Sequence, residues 1–285
     1  MLDLALGFAL TGYASYTDWK TTEVPDWLTY GGIGLGLVGR LTYSVFTSDW
    51  SFLTAGLLGF GLMFLIGCFL YYTAQWGGGD AKLLMALGAT LGIAPSMDHN
   101  FISFLVNLLV LGGVYGLLYT LALAFKEHKK VRKALTKHFS SNESAKAKLA
   151  SYTGCAGFLL LGFFTPALAK PLFFALAFVM ISGFYLWGFT KAVEEAAMVK
   201  KVYPKDLLEG DWILDTIIHK GKEICSPKDL GVTLKQIATL KRLRKQGKVK
   251  KITMKQGIPF CPAFFLAYVA MLIGGNLVVL LGNSL

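Results

Sequence analysis

Apolar residues run for long stretches without the alternation of a strand near residues 2–17, 27–46, 51–75, 81–95, 101–125, 153–168, 171–190 and 259–281. A helix that crosses a membrane needs about 20 such residues, and several of these stretches reach that length. Those at 2–17, 81–95 and 153–168 are short, so they either reach only part-way or are extended by flanking residues. Continuous apolar runs also argue against a membrane β-barrel, whose strands alternate in and out. The pattern predicts an all-α polytopic membrane protein with about 6–8 transmembrane helices. It breaks over 191–257, where polar residues dominate and a small cytoplasmic α+β appendage is expected. There, Asp211–Ile218 suits either a strand or a short helix. Thr233 is a good N-cap for a helix running to about Gln246, with Gly247 placed to end it. Val249 to Met254 alternates loosely, as a short strand would.

Composition agrees with this pattern: 54% of the 285 residues are hydrophobic and the mean hydropathy is +0.54. The net charge of +11 is unevenly spread. Of the 28 Lys and Arg, eight fall in 126–152 and sixteen in 191–257, leaving Lys20, Arg40, Lys82 and Lys170 elsewhere. Basic residues gathered in a few loops mark the cytoplasmic side and favour anionic lipid headgroups. With both basic stretches cytoplasmic, 153–190 becomes a transmembrane hairpin turning between Pro166 and Pro171. Five crossings then precede Lys126, and the N-terminus lies outside. The first segment has no basic stretch ahead of it and runs straight into Asp18, so it reads as a retained helix rather than a signal peptide. The expected organisation is a catalytic transmembrane core at 1–125, a basic cytoplasmic loop at 126–152, the hairpin at 153–190, a cytoplasmic domain at 191–257 and a C-terminal transmembrane helix at 258–285.

The helix after Thr233 carries Lys235, Lys241, Arg242, Arg244 and Lys245, which admits a winged-helix nucleic-acid reader. Its apolar positions Leu234, Ile237, Leu240 and Leu243 have ordinary core spacing, so a solvated basic face near lipid is preferred and no nucleic-acid partner is expected. The four cysteines, Cys68, Cys155, Cys225 and Cys261, form no paired motif, so neither a zinc site nor a disulfide framework is supported.

Two acids stand out because they end apolar segments. Asp18 follows the first, and Asp80 precedes the fourth in Gly77-Gly78-Gly79-Asp80. The charge-derived topology places both on the cytoplasmic face. A carboxylate beside a spanning helix costs several kcal/mol to dehydrate, and three glycines remove the side-chain bulk that would keep another backbone away. Two neighbouring carboxylates cannot both ionise cheaply, so they share a proton. The ionised one can take a proton from a water attacking a peptide carbonyl, while the protonated one polarises that carbonyl and later serves the leaving amine.

Gly77-Gly78-Gly79-Asp80 matches the GxGD signature of membrane-embedded aspartyl proteases. The run from Asp18 through Val24-Pro25-Asp26 into Trp27-Leu28-Thr29 resembles the companion motif of type IV prepilin peptidases. Gly257-Ile258-Pro259-Phe260-Cys261-Pro262-Ala263, opening the last helix, is similar to the archaeal preflagellin and prepilin peptidases. The resemblance covers residues 1–125 and the last helix. It implies that Asp18 and Asp80 are the catalytic pair and that Gly77, Gly78 and Gly79 form a flexible loop. It also implies cleavage, at the cytoplasmic face, of archaellin- or pilin-like precursors after a short basic leader. Glu23 and Asp26 are the nearest further acids for binding that leader, although Asp26 also suits a helix cap. Bacterial members with paired cysteines bind zinc and methylate their product. This chain lacks the pairs and any nucleotide loop, so cleavage without methylation, metal or cofactor is expected.

Two other readings compete. Gamma-secretase-like proteases add a Pro-Ala-Leu motif, and Pro166-Ala167-Leu168 has that composition, but the topology puts it on the outer face. An ion- or proton-coupled transporter would place its carboxylates near the bilayer midplane and show repeated halves. Here the acids sit at helix ends and no repeat is visible.

Overall fold

The computed structural model describes residues 2–94 and 99–282. Pro95, the end of one expected apolar run, and 283–285 lie outside the described residues. The chain divides into two compact units, one made of residues up to 118 together with those from 202 onward, the other of 119–201.

The first unit holds α1 (Leu2–Thr21), α2 (Asp26–Thr47), α3 (Ser51–Tyr72) and α4 (Gly78–Leu91). It also holds most of α5 (Asn100–Lys126), the late helix α10 (Cys261–Gly274) and the short α11 (Leu277–Gly282). The core joins Leu83, Leu84 and Leu87 of α4, Phe101 and Phe104 of α5, and Phe264 and Tyr268 of α10. Because α4 is buried nearly all round, its neighbours must come close, and small residues allow it. A Cβ on Gly59 of α3 would sit 2.5 Å from the Gly88 carbonyl oxygen, and one on Gly88 would sit 2.5 Å from that of Gly59. Gly7 of α1 likewise leaves room for the Tyr268 ring, whose hydroxyl donates to the Leu4 carbonyl at 3.0 Å.

A buried cation ties off the end of α4 remote from Asp80. Arg40 donates Nε and Nη2 to the Thr90 carbonyl at 3.1 and 2.8 Å and Nη1 to the Phe52 carbonyl at 2.8 Å. Its guanidinium also lies 4.3 Å from the Phe52 ring centroid. The last carbonyls of a helix have no partner within it, and a cation there also meets the negative end of the helix dipole. Arg40 is thus the connection between α2, α3 and α4 rather than an exception to charge sidedness.

The appendage in this unit is built on β2 (Trp212–Ile213), β3 (Ile217–His219), β4 (Lys222–Cys225), α9 (Leu234–Lys245) and β5 (Ile252–Lys255). Asp211–Ile218 therefore contributes two short strands and no helix. β2 pairs antiparallel with β5, Trp212 opposite Lys255, and β3 with β4. Thr233 and Gln236 form a reciprocal capping box at the start of α9, the arrangement that satisfies two orphan donors at once. Gly247, at φ +72°, ends it in the left-handed region that glycine enters freely. Ile237, Leu240 and Leu243 are buried, as the apolar spacing required.

The second unit contains α6 (His128–Phe139), α7 (Asn142–Phe164) and α8 (Lys170–Val193), followed by a π-helical turn at Glu194–Met198 and β1 (Val199–Val202). The basic stretch 126–152, expected as a loop, is largely helical. Val131 and Ala134 give α6 a buried stripe among its lysines, and the Ser141 hydroxyl accepts from Ser144 N–H to start α7. Residues 194–202 do not prolong α8 as an α-helix; they widen into the π-helical turn and then extend.

Four described helices are long and apolar enough to cross a membrane: Ser51–Tyr72, Asn100–Lys126, Asn142–Phe164 and Lys170–Met198, with Cys261–Gly274 a shorter apolar helix. The protein is a polytopic, predominantly α-helical membrane protein with a small mixed appendage. The close approach of α3 to α4 predicts that Gly88→Val lowers stability by about 3 kcal/mol through overpacking. Gly61→Val, where an added Cβ meets nothing within 4 Å, should be nearly neutral. Denaturant titration of helical circular dichroism in detergent distinguishes the two.

Candidate active site

Three helices of the first unit bring their ends to one place. On α1 the buried positions are Gly7, Leu10, Thr11, Ala14 and Asp18, a three-to-four-residue spacing that marks one face. Asp18 therefore continues the face that packs into the bundle, one turn beyond Ala14, and is buried there. On α10 the buried face is Cys261, Ala263, Phe264, Ala267, Tyr268 and Met271, so Cys261 opens it. α4 begins at Gly78 with Gly77 as its N-cap, which puts Asp80 in the first turn. Its carboxylate accepts the Gly77 backbone N–H, the return contact that an acid at this helical position makes in a capping box.

The three side chains converge. The Cys261 backbone N–H donates to Asp18 Oδ2 at 2.9 Å, and the Cys261 thiol donates to Asp80 Oδ1 at 3.4 Å. One donor atom from each of Asp18, Asp80 and Cys261 lies within 4.8 Å of the others. Among the described residues these form the one group of three or more His, Cys, Asp or Glu with atoms gathered closely enough to hold a metal. Phe260 N–H also reaches Asp18. That carboxylate faces the unpaired N–H groups and positive dipole end of α10, a setting that favours an anion.

The surrounding loops explain why these ends meet. Thr22, at φ +55°, turns the chain at the end of α1 and donates its N–H to the Asp18 carbonyl at 2.9 Å. Pro25 then caps α2 with its carbonyl accepting from Leu28 and Thr29. Val24 in this turn packs on Gly79, where a Cβ would approach Val24 Cβ to 3.0 Å. Of the three glycines, Gly79 is the one that a close approach requires. A Cβ on Gly77 or Gly78 would make only ordinary contacts. The start of α10 is held by the Tyr115 hydroxyl, which donates to the Pro259 carbonyl at 2.8 Å. Phe260 and Phe264 pack against Trp76 at centroid distances of 5.6 and 5.4 Å.

The two other acids singled out in the sequence lie apart in environment. Asp26 Oδ1 pairs with Lys82 Nζ at 2.5 Å, which accounts for the lysine just past Asp80; Lys82 also lies 5.2 Å from the Tyr30 ring centroid. Glu23 is exposed, and its carboxyl is pushed above the usual glutamate value by partial burial and then by Asp211 and Glu209 of the appendage. The appendage thus adds two acids next to the turn after α1, a proximity invisible in a sequence separation of nearly two hundred residues. Cys261 was the other residue missed. The signal for it was its position in the Pro259-Phe260-Cys261-Pro262 opening of the last helix, not its residue type. A cavity of about 240 Å³ lies away from these residues, lined by Asp3, Arg40, Phe52 and His99 among others.

Residues 5–121 match the model of the type IV leader peptidase family. This segment is similar to that family. Over 104 residues the chain is 33% identical to prepilin peptidase EppA of Methanothermobacter thermautotrophicus, covering 36% of this chain and 27% of that protein. It is 28% identical over 111 residues to a preflagellin peptidase of Methanocaldococcus jannaschii, covering 39% and 47%. A preflagellin peptidase of Methanococcus maripaludis is 26% identical over 108 residues, covering 38% and 46%. The chain therefore spans less than half the length of these relatives. No solved structure matches it. The leader-peptidase segment contains Asp18 and Asp80 but neither Cys261 nor the appendage acids.

Asp211 offers a pH test of the loop beside Glu23. Burial raises its carboxyl above the usual value even though Leu208 N–H donates to it at 2.8 Å. A carboxyl raised in the folded state favours folding at low pH, and that contribution is lost as pH rises through the folded value. Asp211→Asn should therefore gain stability relative to the parent as pH rises above the ordinary aspartate value of about 3.9. Thermal unfolding of the two proteins across pH checks this, and parallel curves would contradict it.

Proposed function

We propose that the chain is a membrane aspartyl endopeptidase that removes short basic leaders from archaellin- or type IV pilin-like precursors at the cytoplasmic membrane face. The observation that supports this reading is the meeting of Asp18 and Asp80 within a segment that matches the leader peptidase family model. The names of the relatives, prepilin and preflagellin peptidases, support the precursor class. The concentration of Lys and Arg in 126–152 and 191–257 supports the sidedness, with the N-terminus outside and the basic stretches against anionic lipid.

In this mechanism Asp18, facing the N–H groups of Phe260 and Cys261, is the charged partner and Asp80 holds the shared proton. A water between them gives its proton to Asp18 as its oxygen attacks the scissile carbonyl carbon. Asp80 donates its proton to the carbonyl oxygen, producing a neutral tetrahedral diol. As the C–N bond breaks, Asp18 passes its proton to the departing amine and Asp80 recovers one from the diol hydroxyl, which restores the pair. Gly77, Gly78 and Gly79 give the loop the freedom to admit an extended peptide beside Asp80. Glu23, reinforced by Glu209 and Asp211, attracts the basic leader, and Asp26 joins by exchanging Lys82 for a leader cation.

Membranes carrying the protein should cleave a precursor whose Lys/Arg-rich leader precedes a hydrophobic helix. Asp18→Asn and Asp80→Asn should each reduce that rate by about a thousandfold or more, within the range general acid–base groups supply. Cleavage by either variant at near the parent rate rules out the dyad. Glu23→Gln should raise KM severalfold for a basic leader and leave a neutral leader unaffected. Because the charged form of Glu23 does the attracting and its carboxyl is raised, KM for the basic leader should climb as pH falls, beginning above the ordinary glutamate value of about 4.3. A KM that is flat with pH in that range removes Glu23 from the leader site.

A further inference from the structure

Cys261 lies outside the family-matched segment, is fully buried, and is hydrogen-bonded to both acids. Its backbone N–H fixes one oxygen of Asp18. Its thiol lies between the two acids, donating to Asp80 Oδ1 at 3.4 Å and also close to Asp18. A buried thiol ordinarily behaves as a small hydrophobe and is inert, but this one has a carboxylate oxygen within donor reach on each side of the residue. We propose that Cys261 is a positioning residue for the peptidase reaction. The first turn of α10 sets the separation and orientation of the two carboxylates through it. The proposal rests on the reading of Asp18 and Asp80 as the reacting pair.

The geometry gives the thiol a definite task. An S–H donated to Asp80 Oδ1 makes that oxygen the acceptor and leaves the acidic proton for Oδ2, so the acid can present it in one direction. The same residue's N–H holds Asp18 by an oxygen, and neither carboxylate can swing without losing a contact to α10. The anchor itself is stiff. Tyr115 holds the Pro259 carbonyl, Phe260 packs on Trp76, and Pro262 fixes the backbone in the first helical turn. Removing the thiol donor leaves the N–H contact to Asp18 in place and loosens chiefly Asp80, which keeps its contact to the Gly77 N–H. Misplacement of a reacting group by about 1 Å can cost up to a hundredfold in rate without changing substrate affinity. The effect therefore belongs in kcat.

The experiment compares Cys261→Val, which removes the donor and adds a little bulk, with Cys261→Ser, which restores a donor in a smaller side chain. Both are assayed in membranes on the Lys/Arg-leader precursor, alongside Asp18→Asn and Asp80→Asn. Cys261→Val should lose about tenfold or more in kcat with KM within about twofold of the parent, and Cys261→Ser should recover to within about threefold. Thermal unfolding in detergent is measured on the same preparations. Parent-like kcat in Cys261→Val overturns the proposal, as does a loss carried in KM, or equal losses in the Val and Ser variants. If the aspartate variants themselves cleave normally, the dyad reading fails. If they are inactive while Cys261→Val is fully active, the dyad stands and the positioning role alone is lost.

Discussion

The hydrogen bond from Cys261 N–H to Asp18 joins the last long helix to the first across 243 residues, and the geometry of the acidic site depends on it. A carboxylate at the edge of an apolar bundle is costly unless donors replace the water it has lost. Donors attached to flexible side chains would satisfy it loosely. Backbone N–H groups at the start of a helix satisfy it with a fixed direction, and that helix is itself wedged by Trp76, packed on Phe260 and Phe264, and by Tyr115. Aspartate and helix therefore stabilise one another: α10 supplies two otherwise unpaired donors, and Asp18 supplies the anion that its positive end favours.

The same economy of space governs the opposite partner. Asp80 stands in the first turn of α4, and α4 is the helix most completely enclosed by its neighbours. Backbone contact between Gly59 and Gly88 and the Arg40 tie at its far end hold α4 lengthwise. Val24 against Gly79 holds it at the site. A site assembled from three helix ends needs each helix fixed against sliding, and glycine contacts with buried carbonyl-binding groups do this better than apolar side chains, which lipid would solvate equally well.

The appendage illustrates how distant sequence acquires a local role. Its helix is specified by short-range signals: a capping box at Thr233, an apolar stripe and a terminal glycine. None of these says where the domain sits. In the folded chain its Glu209 and Asp211 face Glu23, next to the turn that leads from Asp18 into α2. Acidic potential at that turn is then a property of the assembled unit, while Asp26, the acid nearer in sequence to the second helix, is neutralised by Lys82.

What the sequence determined by itself follows from short-range regularities. Long apolar runs specified the helices and the membrane class, clustered Lys and Arg marked the polar stretches between them, and Gly77–Asp80 with Asp18 marked the acids, because unusual polar residues stand out against apolar surroundings. The stretch 126–152, read as a basic loop, is largely helical, with Val131 and Ala134 buried among its charges. The partners of each acid were left to the tertiary structure. Whether Cys261 is an incidental thiol or a link between two carboxylates, whether Lys82 meets water or Asp26, and whether Arg40 is stray or a helix cap depend on which helix ends meet. That meeting is set by close packing among glycines and aromatic rings far apart in the chain, and no local pattern records it.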